Sequence, residues 1–328
     1  MANFYDDPDL GRVGVPLTRA FSKHEAGGYS VQRNSMGMRD REHEASRDRG
    51  RRRVIVAGDS FTHGAGVELP DRFTTHLAEA FPEVDFVNFG MPGCGVDQQF
   101  LGWRKYGRGL DHDLVLVTSW SENIRRNVAQ YRLWDSRWSD NSGEPVVNWV
   151  PKPYFRVVGE ELHLEHVPCP KPVAHDELGD GVTDQSRFNW LRYRVRELGP
   201  GVKDRLQKLI RWQPLPEYGS ADSEGWILQR MILELWQTES PAPLVFAPIP
   251  MYQHIERSAS SRGYRERLTE LHADGRVPVI DVLSELQAIP DRRGLRFATD
   301  IHMNQRGHRA FADALIPSLR PYVEDLTP

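Results

Sequence analysis

Residues Val54-Ile55-Val56-Ala57 run directly into Gly58-Asp59-Ser60, and Gly64 and Gly66 follow closely. A short apolar run rich in β-branched residues reads as a buried strand, and Gly-Asp-Ser as a tight turn at its carboxyl end. In open α/β sheets, ligand crevices lie at that end of the strands. A serine placed there is a nucleophile if a base reaches it, and its own N–H can help hold an oxyanion.

Two later segments extend the pattern. Val87-Asn88-Phe89-Gly90-Met91-Pro92-Gly93-Cys94-Gly95 again follows an apolar run and sets three glycines within six positions. Glycines at a strand end allow backbone amides to approach a ligand closely, as an oxyanion hole requires. Near the C-terminus, Thr299-Asp300-Ile301-His302 places an acid two residues before a histidine. Such an acid can orient the imidazole while the imidazole takes the proton of a distant serine. Ser60, Asp300 and His302 therefore form a candidate triad.

These residues resemble the blocks of the SGNH hydrolases, also called GDSL-like esterases and lipases. The resemblance runs from about Arg53 to Asp325 and implies Ser60 as nucleophile, Asp300 and His302 as acid and base, and Gly93 as an oxyanion donor. Its third block, usually Asn-Asp after a central strand, is altered here to Ser121-Glu122-Asn123-Ile124. Asn123 is preferred as the third donor, because Glu122 in that place would repel an oxyanion. A second departure is Asp-x-His where many members have Asp-x-x-His. The chemistry implied is acyl transfer through a serine intermediate, with neither cofactor nor metal.

Independently of that resemblance, the order of elements predicts an α/β fold. Strands are expected at 53–57, 84–89, 113–119, 244–249 and 277–282, and helices at 73–81, 97–107, 258–273 and from near Gly307 to the end. This alternation gives a three-layer α/β/α, flavodoxin-like parallel sheet. Residues 53–325 would form that domain. Residues 1–52, with a dense mixed charge run from Arg39 to Arg53, read as a solvated arm or linker. Residues 128–242 are far too many for a simple crossover. They read as a hairpin over Tyr154–His166 plus helices, forming a cap or lid over the crevice.

Further residues divide between functional and structural readings. Arg125, Arg126, Tyr131 and Arg132 either face the crevice, favouring an anionic or sugar-like substrate, or form a solvated helix face. Asp59 and Glu122 are additional candidate substrate contacts. His63 is expected in a pocket wall or on the surface, His308 in a structural place, and Cys94 as a small buried residue. His163, His166 and Cys169 suit a structural hairpin better than a zinc site, because strand alternation sends His163 and Leu164 to opposite faces and no fourth ligand is obvious.

The net charge of −4 over 328 residues argues against nucleic acid as a main partner. No apolar run approaches membrane-spanning length, and residues 1–20 lack a signal-peptide core, so a cytoplasmic protein is expected. Two cysteines make no disulfide framework. The expected function is a serine esterase or O-deacetylase acting on a small acyl ester. An acyltransferase with the same triad and a non-catalytic binding protein are the alternatives.

Overall fold

The computed structural model describes residues 4–47, 50–135, 147–174 and 212–324. The described chain opens with two antiparallel hairpins, β1 (Phe4–Asp7) with β2 (Gly11–Gly14) and β3 (Arg19–Ser22) with β4 (Tyr29–Gln32). It then enters the central sheet through β5 (Arg52–Gly58), β6 (Val84–Gly90) and β7 (Leu114–Val117). An antiparallel excursion follows, with β8 (Tyr131–Asp135), β9 (Val147–Pro151) and β12 (Val173–Ala174) in one sheet and β10 (Tyr154–Val158) with β11 (Glu161–Glu165) in a hairpin. The last strand, β13 (Leu244–Phe246), rejoins the central sheet, giving the parallel order β13-β7-β5-β6.

Central strands buried on both faces explain the unbroken apolar runs. Val54, Ile55 and Val56 of β5 and all four residues of β7 are fully buried. Helices cover the two faces: α1 (Ser60–His63), α2 (Phe73–Ala80), α3 (Val96–Lys105), α4 (Ile124–Val128), α5 (Glu224–Glu239), α6 (Tyr252–Ile255), α7 (Arg262–Ala273), α8 (Leu283–Ala288) and α9 (Gln305–Glu324). The fold is thus α/β with a parallel sheet, and, the fifth strand apart, the strands and helices expected from periodicity fall within a few residues of those observed. None of the described helices is long and apolar enough to cross a membrane.

The fifth expected strand is reduced to a single bridge, Phe246 to Val279. Pro278 explains the brevity: its carbonyl accepts from Phe246 N–H at 2.9 Å, but it has no N–H to offer a further neighbour. The insertion also differs from the expected lid. Its hairpin is present, but α5 belongs to the core as the helix that leads into β13. Trp236 on α5 packs 5.8 Å from Trp103 and 5.5 Å from Phe100 on α3, all fully buried. Burying each such side chain is worth about 1.5–3 kcal/mol, so the helix is held by packing rather than by propensity. A buried ion pair between Lys152 and Asp97 ties the excursion to the first turn of α3. Residues 136–146 and 175–211 of the expected lid lie outside the described residues.

The solvated arm is the largest correction. The first hairpin packs beside α3, where Gln98 donates to Leu10 O at 2.7 Å and Lys105 to Asp7 at 2.8 Å. The charged stretch runs along the sheet to Arg47, which donates to Asp113 at 2.7 Å just before β7. Arg39, within the charge run, is fully buried. Its guanidinium donates to the carbonyls of Gly64 at 2.7 Å, Val67 at 2.9 Å and His63 at 3.3 Å, and stacks on Tyr29 at 4.8 Å. Asp40 accepts from the N–H of Asn88 at 2.7 Å and pairs with His43 at 3.0 Å. A charge run reads as solvated only while its partners are unknown. Here backbone carbonyls and opposite charges from distant elements satisfy it.

Candidate active site

The nucleophile turn is built by Gly58, Asp59 and the short helix α1. Asp59 is fully buried, and its Oδ1 caps the helix by accepting from Phe61 N–H at 2.8 Å. Its Oδ2 accepts from Trp120 N–H at 3.0 Å and from the side-chain amide of Asn123. Asp59 therefore joins the first block to the third and does not reach a substrate, which corrects its place among the substrate contacts. Ser60, the first residue of the helix, is half-buried.

Across from it, the loop between α8 and α9 folds back on itself. Asn304 donates to the carbonyls of Gly294 at 3.0 Å and Arg296 at 2.9 Å, and Phe297 N–H donates to His302 O at 3.2 Å. This closed loop presents His302 to Ser60, with Nε2 2.7 Å from Oγ. Asp300 Oδ1 accepts both the His302 backbone N–H at 2.8 Å and its ring Nδ1. With the proton held on Nδ1, Nε2 is free to accept from the serine hydroxyl. Burial pushes the Asp300 carboxyl up, but the hydrogen bonds and charge of His302 outweigh it and lower its pKa to about 2. The acid is thus ionised at neutral pH. The three sequence-predicted triad residues, separated by 242 positions, meet in one hydrogen-bonded chain.

The second block supplies the neighbouring turn. Gly58 pairs with Gly90, and Met91 N–H donates to Gly58 O at 2.9 Å, so this turn starts beside the nucleophile turn. Gly90 must be glycine, because a Cβ there would lie 2.2 Å from His63 N. Pro92 and Gly93 then occupy the centre of a turn closed by Cys94 N–H to Met91 O at 3.1 Å, with Gly93 at φ +82°. That closure leaves the Gly93 N–H outside the turn's own bond. The Ser60 N–H, at a helix start, likewise has no intrahelical acceptor.

Asn123 departs from its expected role. It is fully buried, and its two amide protons go to Asp59 and to Ser119 Oγ at 3.0 Å, so neither is available to an oxyanion. The Asn123 amide joins the Trp120 N–H on Asp59 Oδ2, so the third block holds the nucleophile turn. Arg125 is corrected as well: its guanidinium donates to Glu217 at 2.6 Å and to Pro214 O at 2.9 Å, tying α4 to the segment before α5. Glu122, partly exposed, lies 3.5 Å from Arg125. Arg126 donates to Cys94 O at 3.4 Å, and Arg132 Nη1 would lie 3.4 Å from a Cβ at Gly93. Of the expected substrate contacts, these two arginines border the Gly93 turn.

The remaining singled-out residues fall on structural places. His63 is buried, and burial with nearby arginines holds its pKa well below the ordinary histidine value; the ring that reaches Ser60 Oγ is that of His302. Burial pushes the Cys94 thiol up to about 12, which makes it inert. His308 Nδ1 accepts from Phe73 N–H at 3.3 Å. His163 is paired across the hairpin with Arg156, and His166 Nδ1 lies 3.2 Å from Lys152 O. Sequence reasoning missed Arg39, whose only signal is its charge in a Gly-containing segment.

No family model matches the chain, and no curated protein matches it. Solved structures do align with it. A member of the lipolytic protein G-D-S-L family from Veillonella parvula DSM 2008 is 15% identical over 82% of this chain and 98% of its own, at a TM-score of 0.44. A lipase/acylhydrolase from Enterococcus faecalis is 13% identical over 82% and 95%, at 0.42. An acetyl xylan esterase is 12% identical over 81% and 99%, at 0.41. These likenesses are of fold alone, and the chemistry below is argued from the chain's own residues.

Proposed function

We propose that this protein is a serine esterase that cleaves a small acyl ester through an acyl-enzyme intermediate. The observation that carries the reading is the continuous chain Ser60 Oγ, His302 Nε2, His302 Nδ1, Asp300 Oδ1, with the first contact at 2.7 Å. His302 takes the hydroxyl proton as Oγ bonds to the ester carbonyl carbon, and Asp300 stabilises the imidazolium that forms. The N–H groups of Ser60 and Gly93 suit the oxyanion, and the same proton then returns to the departing alcohol. Water, deprotonated by His302, attacks the acyl-enzyme and releases the acid. Asn123 acts through Asp59, holding the nucleophile turn rather than touching the oxyanion.

The test is hydrolysis of p-nitrophenyl esters, acetyl to octanoyl, by wild type, Ser60→Ala and His302→Ala. Both substitutions are expected to lower kcat by at least about a thousandfold, as for other members of a serine triad. Wild-type hydrolysis that survives Ser60→Ala would overturn the assignment.

A further inference from the structure

The mechanism above uses only one oxygen of Asp300. With Asp-x-His spacing, Oδ1 accepts both N–H groups of His302, and Oδ2 is left to face elsewhere. It faces the turn between β3 and β4. His24 Nε2 lies 3.5 Å from Asp300 Oδ2, and the His24 side chain is only 9% exposed. The tautomer follows from the other ring nitrogen. Ala26 N–H donates to His24 Nδ1 at 3.4 Å, so Nδ1 is the acceptor and a neutral ring carries its proton on Nε2, toward the carboxylate. Among the described residues, that buried Nε2 makes no hydrogen bond in the resting geometry, and the Asp300 carboxylate at 3.5 Å is the charged group it faces.

The ring is fixed by its surroundings. It packs edge-on against Phe297 at 4.3 Å and against Tyr29 at 6.3 Å. A Cβ at Gly66 would lie 3.0 Å from Nε2 and 2.5 Å from Phe297, so only glycine admits this arrangement. The adjacent Glu25 clamps the same loop, its carboxylate accepting from Thr299 N–H at 2.9 Å, from Asp300 N–H at 3.5 Å and from the Thr299 hydroxyl. Two consecutive residues of the N-terminal hairpin thus grip the loop that carries the acid.

We propose that His24 is a positioning residue of the triad: it donates to Asp300 Oδ2 and holds Oδ1 on His302, with Glu25 fixing the backbone beneath. The contact tightens as imidazolium forms and draws the carboxylate into line, in the way catalytic hydrogen bonds in ligand-free sites shorten during reaction. The proposal rests on the triad reading given above.

The test uses the full chain with His24→Ala and His24→Gln, the latter retaining an N–H donor. Three readouts are taken: kcat and KM on p-nitrophenyl acetate, the rate of Ser60 labelling by a fluorophosphonate, and the far-downfield proton resonance of His302 Nδ1–H. For His24→Ala, kcat and labelling rate should fall roughly tenfold, the worth of one hydrogen bond to a charged group, with KM unchanged and the resonance moved or lost. His24→Gln should recover most of the rate. Wild-type labelling and resonance that persist unaltered in both variants would overturn the role of His24 and leave the triad standing. A rate that falls only in step with thermal stability, or that glutamine fails to restore, would overturn it too. A wild type whose Ser60 is never labelled would overturn the triad and this proposal together.

Discussion

At the scale of single residues, the site depends on conformations that only certain side chains permit. Gly93 has a φ of +82°, and a Cβ added there would lie 3.4 Å from Arg132 Nη1. Gly93→Ala is expected to cost about 1 kcal/mol in strain and to lower kcat about tenfold by turning the N–H away from the oxyanion. Paired denaturant titration and kinetics would check it; unchanged kcat would remove Gly93 from the oxyanion hole. Ser60, Asp300, His302 and Gly93 were legible because each sits in a short motif whose geometry is local. The role of Asn123 was not, because its partners Asp59 and Ser119 come from separate strand ends, and only their meeting exhausts its donors.

Among the elements, the least legible was the N-terminal segment. Its polar composition suggested solvent, yet it supplies Arg39 to the loop after the nucleophile helix, Asp40 to β6, and His24 with Glu25 to the acid loop. Burial lowers the Arg39 pKa to about 10, with Arg72 adding to the effect, so its charge persists at neutral pH. Arg39→Met is expected to cost about 2–4 kcal/mol, because the carbonyls of His63, Gly64 and Val67 lose a shared donor in a dry place. It should also lower kcat, since those carbonyls belong to the chain leaving α1. A loss of stability with kcat intact would show that the segment braces the fold without shaping the site. The strands of the sheet were legible for the opposite reason: burial on both faces forces an apolar run, and that is visible without knowing any partner.

For the whole molecule, buried histidines set the pH range of stability. Burial lowers the pKa of His254 to about 4 and that of His308 to about 3, each helped by nearby positive groups. The unfolded chain, with histidine near the ordinary value of about 6.5, binds those protons more readily. Their contribution is therefore present above about pH 6.5 and lost as pH falls toward 4, by about 1.4 kcal/mol per pH unit for each group. His43 acts in the other direction: burial opposes its protonation, but hydrogen bonds to Asp40 and Asp85 outweigh that and raise its pKa. Its stabilising effect is lost as pH rises through that raised value. Unfolding by urea between pH 7 and pH 5 should show stability falling with acid, and His308→Gln should remove its own share of that slope, at most about 1.4 kcal/mol per pH unit, while buried His63 and His254 keep theirs. A flat profile would contradict the burial of both histidines.

The sequence by itself determined the parallel α/β class, the strand-end placement of Ser60 and the pairing of Asp300 with His302. Periodicity, β-branched runs and an acid two residues from a histidine are constraints that act within a few positions. Only the tertiary structure decided that Arg39 is buried, that Asn123 spends its amide on Asp59, that Arg125 binds Glu217, and that His24 faces Asp300. Each of those depends on which distant group occupies the space beside a charge, and local sequence carries no record of that neighbour.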